Sequence, residues 1–101
     1  MELDDYRNEF NRQQAKLDDQ RDELLKMTKK ADDIIWDATS QVQWITRESD
    51  VDYDEFQEVM RKIRLIEDDF VEAVEQERQA LRRASERLED EYERQIRYLK
   101  D

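Results

Sequence analysis

WITRESDVDYDEF, which runs from Trp44 to Phe56, is the stretch that decides the fold. A chain of 101 residues without a glycine or a proline lacks the residues that usually turn a corner. Within the stretch, Asp52 followed by Glu55 has the form of a capping box, in which each side chain accepts a hydrogen bond from an amide at a helix start. Val51 and Phe56 are spaced as the hydrophobic staple that accompanies this cap. The sequence therefore ends one helix, begins another near residue 53, and predicts a hairpin.

The composition of the rest of the chain also favours long helices. Charged residues make up 47% of the sequence and hydrophobic residues only 37%. A fold with many short loops would need turn-forming residues that are absent here. Disorder is disfavoured because aromatic residues, 9% of the chain, recur with a regular apolar period.

Apolar residues recur every seven positions in both halves of the chain. A second line lies three residues after the first, and in the first half it includes Met27 and Ile34. Such heptads are typical of helices that pack along a seam. The main line of the first half is Leu3, Phe10, Leu17, Leu24, Ala31, Ala38 and Ile45, and the second half has Met60, Val74, Leu81 and Leu88 with Phe56, Ile63, Phe70 and Ala84.

These patterns predict an all-α fold: an antiparallel, coiled-coil-like two-helix hairpin forming a single domain over residues 1–101. We expect helix one at about 3–46, the loop at about 46–52 and helix two at about 53–99. Residues whose numbers sum to about 94 to 98 should face one another. The half away from the loop should have the thinner core, because polar residues interrupt its seam: Gln13, Gln20, Glu77 and Glu91.

The acidic charge balance disfavours several kinds of partner. Against 29 Asp and Glu there are 18 Lys and Arg, for a net charge of −11. Such a chain repels phosphate backbones and anionic lipid headgroups, so we expect no nucleic-acid partner. No apolar run approaches the ~18 residues of a membrane span, so we expect no membrane insertion and no signal peptide. A cytoplasmic location follows by default, with co-secretion alongside a partner as an alternative.

The residue types that most often carry chemistry are missing. Without histidine or cysteine there are no zinc sites and no Ser-His-Asp or Cys-His arrangements. Without glycine there is no phosphate-binding loop, and the acidic run from Glu48 to Glu55 lacks the glycine of a calcium loop. Adjacent acids on a helix point about 100° apart, so they do not converge on an ion. We therefore expect a protein that is not an enzyme and has no cofactor or metal.

Apolar side chains beyond the needs of one seam predict a partner-binding surface. Trp36 and Trp44 project from the outer face of helix one, and Leu65 projects outward from helix two. Tryptophan is a preferred anchor at protein interfaces. The alternative is that both tryptophans lie against neighbouring aliphatic stems or fold over the loop. The remaining residues of the predicted surface widen the two apolar stripes: Ile35 and Val42 on helix one, and Val59, Ile66 and Val71 on helix two.

The chain resembles the small, highly charged helical proteins encoded beside LXG toxins of the bacterial type VIIb secretion system. The resemblance is carried by the tryptophan of Trp44-Ile45-Thr46, by an aromatic residue after the loop and by the charged tail from Glu77 to Asp101. WXG-type proteins of this system have glycine where Thr46 stands. The resemblance implies a targeting factor or chaperone that binds the helical N-terminal domain of an LXG toxin, beside a second small helical protein, and readies it for export.

Two functions are therefore open. The first is a non-enzymatic adaptor for a helical toxin domain, in which Trp36, Trp44 and Leu65 are exposed until a different chain covers them. The second is a self-assembling coiled-coil scaffold, a homodimer or tetramer, in which copies of the chain bury these residues. A helix running straight through residues 46–52 in a domain-swapped dimer is a further architectural alternative.

Overall fold

The structure is a computed structural model that describes residues 2–100. After Glu2, these residues form two helices joined by residues 49–52. α1 is Leu3–Glu48 and α2 is Tyr53–Lys100. The predicted all-α, antiparallel two-helix hairpin is confirmed. The domain predicted from the sequence also included Met1 and Asp101, which lie outside the described residues.

Asp52 caps the start of α2, as predicted, but its carboxylate accepts from the Asp54 amide rather than from the Glu55 amide that a capping box uses. Asp52 Oδ1 accepts a hydrogen bond from the Asp54 amide at 3.3 Å, and the Asp52 carbonyl accepts from the Phe56 amide at 3.0 Å. One of the unpaired amides at the start of α2 is therefore satisfied by a side chain rather than by water. Val51, at the staple position, is half-buried.

Replacing Asp52 with alanine removes this cap. We expect the free energy of unfolding to fall by about 1 kcal/mol, the usual effect of losing an aspartate at this position. Thermal unfolding followed by circular dichroism measures the loss. Asp50→Ala is the matched control, because Asp50 is an exposed aspartate of the same loop. Equal losses in the two variants would contradict the capping role.

α1 runs beyond its predicted end near residue 46. Thr46 Oγ1 donates to the Val42 carbonyl at 2.7 Å, and the Ser49 amide donates to the Ile45 carbonyl at 2.9 Å. Because these bonds satisfy polar groups within the last turn, the polar sequence after Ile45 continues the helix instead of ending it. The basic side chain of Arg47 in this turn complements the negative end of the helix dipole.

The helices form two compact units. Unit 1 comprises residues 2–25 with 76–100, and unit 2 comprises residues 26–75. Unit 1 contains two of the most deeply buried side chains, those of Leu81 and Ser85, each 6% exposed. Phe10 stacks on Tyr92 with ring centroids 4.4 Å apart. Among residues 2–100, each half therefore contains one buried hydrophobic side chain, Leu81 here and Val74 in unit 2, and the buried Ser85 of this half is polar.

A polar pair occupies the seam of unit 1. Gln14 Nε2 lies 3.4 Å from Ser85 Oγ, which in turn can donate to Gln14 Oε1 at 3.5 Å. The pair lets a buried serine hydroxyl keep a hydrogen-bond partner. It also corrects the predicted register, because Gln14 with Ser85 and Phe10 with Tyr92 join residues whose numbers sum to more than the predicted range.

On α1, the line of residues that face the other helix lies one residue later in sequence than the heptad predicted. In the half near the loop, Thr28, Ile35 and Val42 are half-buried, whereas Met27 and Ile34 are 59% and 65% exposed. The strict heptad placed Met27 and Ile34 in the seam, and this prediction is wrong. An α-helix has about 3.6 residues per turn rather than 3.5, so its inward face moves toward later residues.

In α2 the predicted seam is confirmed in unit 2. Val74 is buried at 9% exposure, and Phe56, Met60, Ile63 and Phe70 are half-buried. Exposed pairs within each helix, such as Arg12 with Glu9 and Arg94 with Glu91, support the helices on their solvent side.

Candidate functional site

The exposed apolar side chains are concentrated in unit 2. Among residues 2–100, most of the large hydrophobic residues that remain exposed belong to residues 26–75. Those of unit 2 are Met27, Ile34, Trp36, Trp44, Ile45, Tyr53, Val59, Leu65, Ile66 and Val71. Unit 2 therefore holds the candidate functional surface.

Trp36 and Trp44 are the largest members of this surface. Trp36 is 70% exposed and Trp44 is 63% exposed. They lie on α1 eight residues apart, about 12 Å along the helix axis and about 80° apart around it. Both side chains face outward rather than folding into the seam, so each presents an indole ring to solvent.

A shallow concavity borders Trp44. It is lined by Ser40, Gln41, Ile45 and Arg47 together with the indole itself. All five residues come from α1, so the concavity follows from the spacing of side chains along one helix. The concavity combines an apolar wall, from Trp44 and Ile45, with the cationic side chain of Arg47.

The other predicted site residues divide into two groups. Leu65, Val59, Ile66 and Val71 are exposed, as a partner-binding role requires, at 50%, 41%, 63% and 58%. Ile35 and Val42 are half-buried on the inward line of α1. Their predicted role in widening the stripe is corrected: they belong to the seam, because that line has shifted onto them.

Sequence reasoning missed Met27, Ile34 and Ile45 as surface residues because it placed them in the seam. All three are about half exposed or more. For Ile34 the signal is the apolar residue next in sequence, Ile35, which competes for the same inward position. A straight helix with about 3.6 residues per turn places Ile35, rather than Ile34, toward the other helix.

Electrostatics on the outer side of α2 are local. The pKa of Glu58 is lowered from its ordinary value, chiefly because Arg61 donates hydrogen bonds to the carboxylate. The pKa of Arg61 is raised by the same partner. Both groups are exposed, so the pair supports the helix and leaves the apolar residues as the distinctive feature of unit 2.

Two further properties bear on the site. Among residues 2–100 there is no group of three or more acids positioned to hold a metal ion. Neither described helix carries an apolar segment that would cross a bilayer.

The fold and the surface define the chain as an all-α helical hairpin with large exposed apolar side chains within residues 26–75. Comparison with protein-family models, with curated proteins and with solved structures finds no match in any of the three.

Proposed function

We propose that the protein is a non-enzymatic adaptor that binds the helical N-terminal domain of an LXG-type toxin and prepares it for type VII secretion. The single observation that carries the proposal is the pair of tryptophans, 70% and 63% exposed on one helix of unit 2. Leaving two indole rings in water is costly, and tryptophan contributes more than most residues when a partner covers it.

The secondary structure of the adaptor suits a helical partner. Its surface consists of long helices with apolar residues at helical spacing, and an amphipathic helix laid beside them completes a bundle. The net charge of −11 keeps the unpaired chain apart from other acidic proteins and steers it toward a basic partner. The resemblance to proteins encoded beside LXG toxins supports the choice of partner, with a second small helical protein in the complex. Binding takes place in the cytoplasm before export.

The tryptophans supply the test. Trp36→Ala with Trp44→Ala is expected to weaken binding to an LXG-type N-terminal domain from the same genome by about 2 kcal/mol or more per tryptophan. Isothermal titration calorimetry measures the affinity. In the wild-type chain, tryptophan emission should shift to the blue when the toxin domain is added, since the indoles leave water.

Tyr98→Ala is the matched control, because Tyr98 is an aromatic residue with 83% exposure in unit 1. It should bind the toxin domain as tightly as the wild type. Failure of the wild-type chain to bind the domain, or equal binding by the double tryptophan variant, would refute the adaptor.

The second candidate is a self-assembling scaffold, favoured by the amount of exposed apolar surface in unit 2. It differs from the adaptor in one respect: Trp36 and Leu65 would then be covered in the purified chain alone. Quenching of Trp36 emission by acrylamide in a Trp44→Phe background separates the two candidates: strong quenching in the purified chain supports the adaptor, and weak quenching supports the scaffold.

A further inference from the structure

Unit 2 has an apolar strip on one side of its seam and a polar strip on the other. In each helix, one line of exposed apolar residues comes immediately before the inward line in sequence: Ile34 precedes Ile35 on α1, and Val59 precedes Met60 on α2. Two antiparallel helices are related by a local twofold axis. A line of residues that precedes the inward-facing residues by one position therefore lies on the same side of the seam in both helices. We call this strip the flank; its apolar members are Met27, Ile34, Val59, Ile66 and Ala73, the polar Gln41 lies on the same line, and Ile45 extends the strip toward the loop.

The loop fixes which flank residues lie level with one another. Because α1 ends at Glu48 and α2 begins at Tyr53, residues equally distant from residues 49–52 share a level. Ile34 is therefore level with Ile66, and they are 65% and 63% exposed. In the same way Met27 is level with Ala73, and Gln41 with Val59. The opposite side of the seam is mostly polar, with Asp32, Thr39, Thr46, Gln57, Arg64 and Val71.

The centre of the flank's rim carries two charges of each sign, although the chain is strongly acidic. This outer border has Lys30 and Asp37 on α1, and Lys62 and Asp69 on α2, all exposed, and the same lines continue toward the loop with Trp44 and Glu55. Each helix contributes one lysine and one aspartate two helical turns apart. Lys30 is level with Asp69, and Asp37 is level with Lys62, so the signs alternate around the strip.

This alternation makes the rim complementary to itself. If a second copy docks with the twofold axis parallel to the helices, Lys30 meets Asp69 and Asp37 meets Lys62 of the other copy. If the axis runs across the helices, Lys30 meets Asp37 and Lys62 meets Asp69 of the other copy. Both twofold arrangements pair opposite charges, as an isologous interface requires.

The flank is large enough for such an interface. From Met27 to Ile45 it extends about 27 Å along α1, and two helices of about 10 Å each give a footprint of roughly 500 Å² per copy. Two copies together cover roughly 1,000 Å², the size at which specific interfaces begin. From these observations we infer that the flank binds a second copy of this chain, forming a four-helix bundle between two unit 2 segments.

The apolar centre gives the first test. Light scattering over a concentration series should show the wild type moving from 12.5 kDa to twice that mass. Ile34→Asp with Ile66→Asp should weaken dimerisation more than tenfold, since each variant places a carboxylate in the apolar strip. Both residues are exposed, so circular dichroism should show an unchanged helix content. Leu65→Asp, about 100° from Ile66 around α2, should leave the dimer intact.

The rim gives a second test that leaves the apolar centre untouched. Lys30→Glu with Lys62→Glu makes these four rim residues all acidic, and Asp37→Lys with Asp69→Lys makes them all basic. Each variant alone should dimerise more than tenfold more weakly than the wild type, and an equimolar mixture should form a one-to-one heterodimer. A wild-type chain that stays monomeric, a tight Ile34→Asp with Ile66→Asp dimer, or a mixture without heterodimer would overturn the inference.

The dimer inference and the adaptor proposal can be refuted independently of each other. Trp36 and Leu65 lie off the flank, whereas Ile66 belongs both to the flank and to the predicted partner-binding residues. The rim variant Lys30→Glu with Lys62→Glu is therefore the monomer in which Trp36-dependent binding of the toxin domain is tested. Loss of the dimer with retained binding supports both proposals. A wild-type dimer that does not bind the toxin domain leaves the inference standing and removes the adaptor alone.

Discussion

Replacing Leu81 with alanine is expected to lower the free energy of unfolding by about 2 to 4 kcal/mol. Leu81 is 6% exposed and is one of the few buried hydrophobic side chains among residues 2–100. Removing its methyl groups loses their burial and leaves a cavity that the neighbouring seam residues close only in part. A two-helix core rarely provides more than a few kcal/mol, so this loss is a large share of the total.

Thermal and urea unfolding, followed by circular dichroism, measure the effect. Leu65→Ala on the same helix is the matched control: Leu65 is 50% exposed, and its loss should change the free energy of unfolding by less than about 0.5 kcal/mol. If the two variants unfold at the same urea concentration, the seam does not pass through Leu81.

Ile35→Ala is expected to destabilise the hairpin by about 1 to 3 kcal/mol more than Ile34→Ala. The two isoleucines are neighbours in sequence and undergo the same chemical change. Ile35 is half-buried on the inward line of α1, whereas Ile34 is 65% exposed on the flank. The difference between the two variants therefore reports which residue the seam contains.

The comparison belongs at a concentration at which light scattering shows a monomer, because Ile34 also lies in the proposed dimer interface. Equilibrium urea unfolding gives both values. A strict heptad continued from Leu3 makes the opposite prediction, in which Ile34→Ala is the more damaging change. That result would show that the inward face of α1 does not drift.

The hairpin itself could be predicted because its signals are local. The cap at Asp52 and the failure of the heptad after Ile45 are visible in a few consecutive residues, and the structure has the Asp52 cap and a break between the helices at residues 49–52. The outward positions of Trp36, Trp44 and Leu65 could also be predicted, since each lies far around its helix from any choice of inward line.

Which residues of α1 face the other helix was harder to predict, because the difference between 3.5 and 3.6 residues per turn accumulates along the helix. A small difference in residues per turn is negligible between Phe10 and Leu17, yet by Ile34 it decides which of two adjacent isoleucines turns inward. The pairing of Gln14 with Ser85 was missed for a different reason: the register depends on how closely the two helices pack, and neither residue signals the other in the sequence.

The short loop has a consequence for the time course of folding. Gln41 and Val59 flank the loop closely, whereas Gln14 and Ser85 are 71 residues apart in the chain. Joining distant residues first would cost more chain entropy than joining near ones, so pairing starts beside residues 49–52 and extends turn by turn. The residues around the loop therefore set how fast the hairpin forms. We expect the Phe10–Tyr92 stack and Leu81 to pair last, and therefore to set the rate at which the hairpin unfolds.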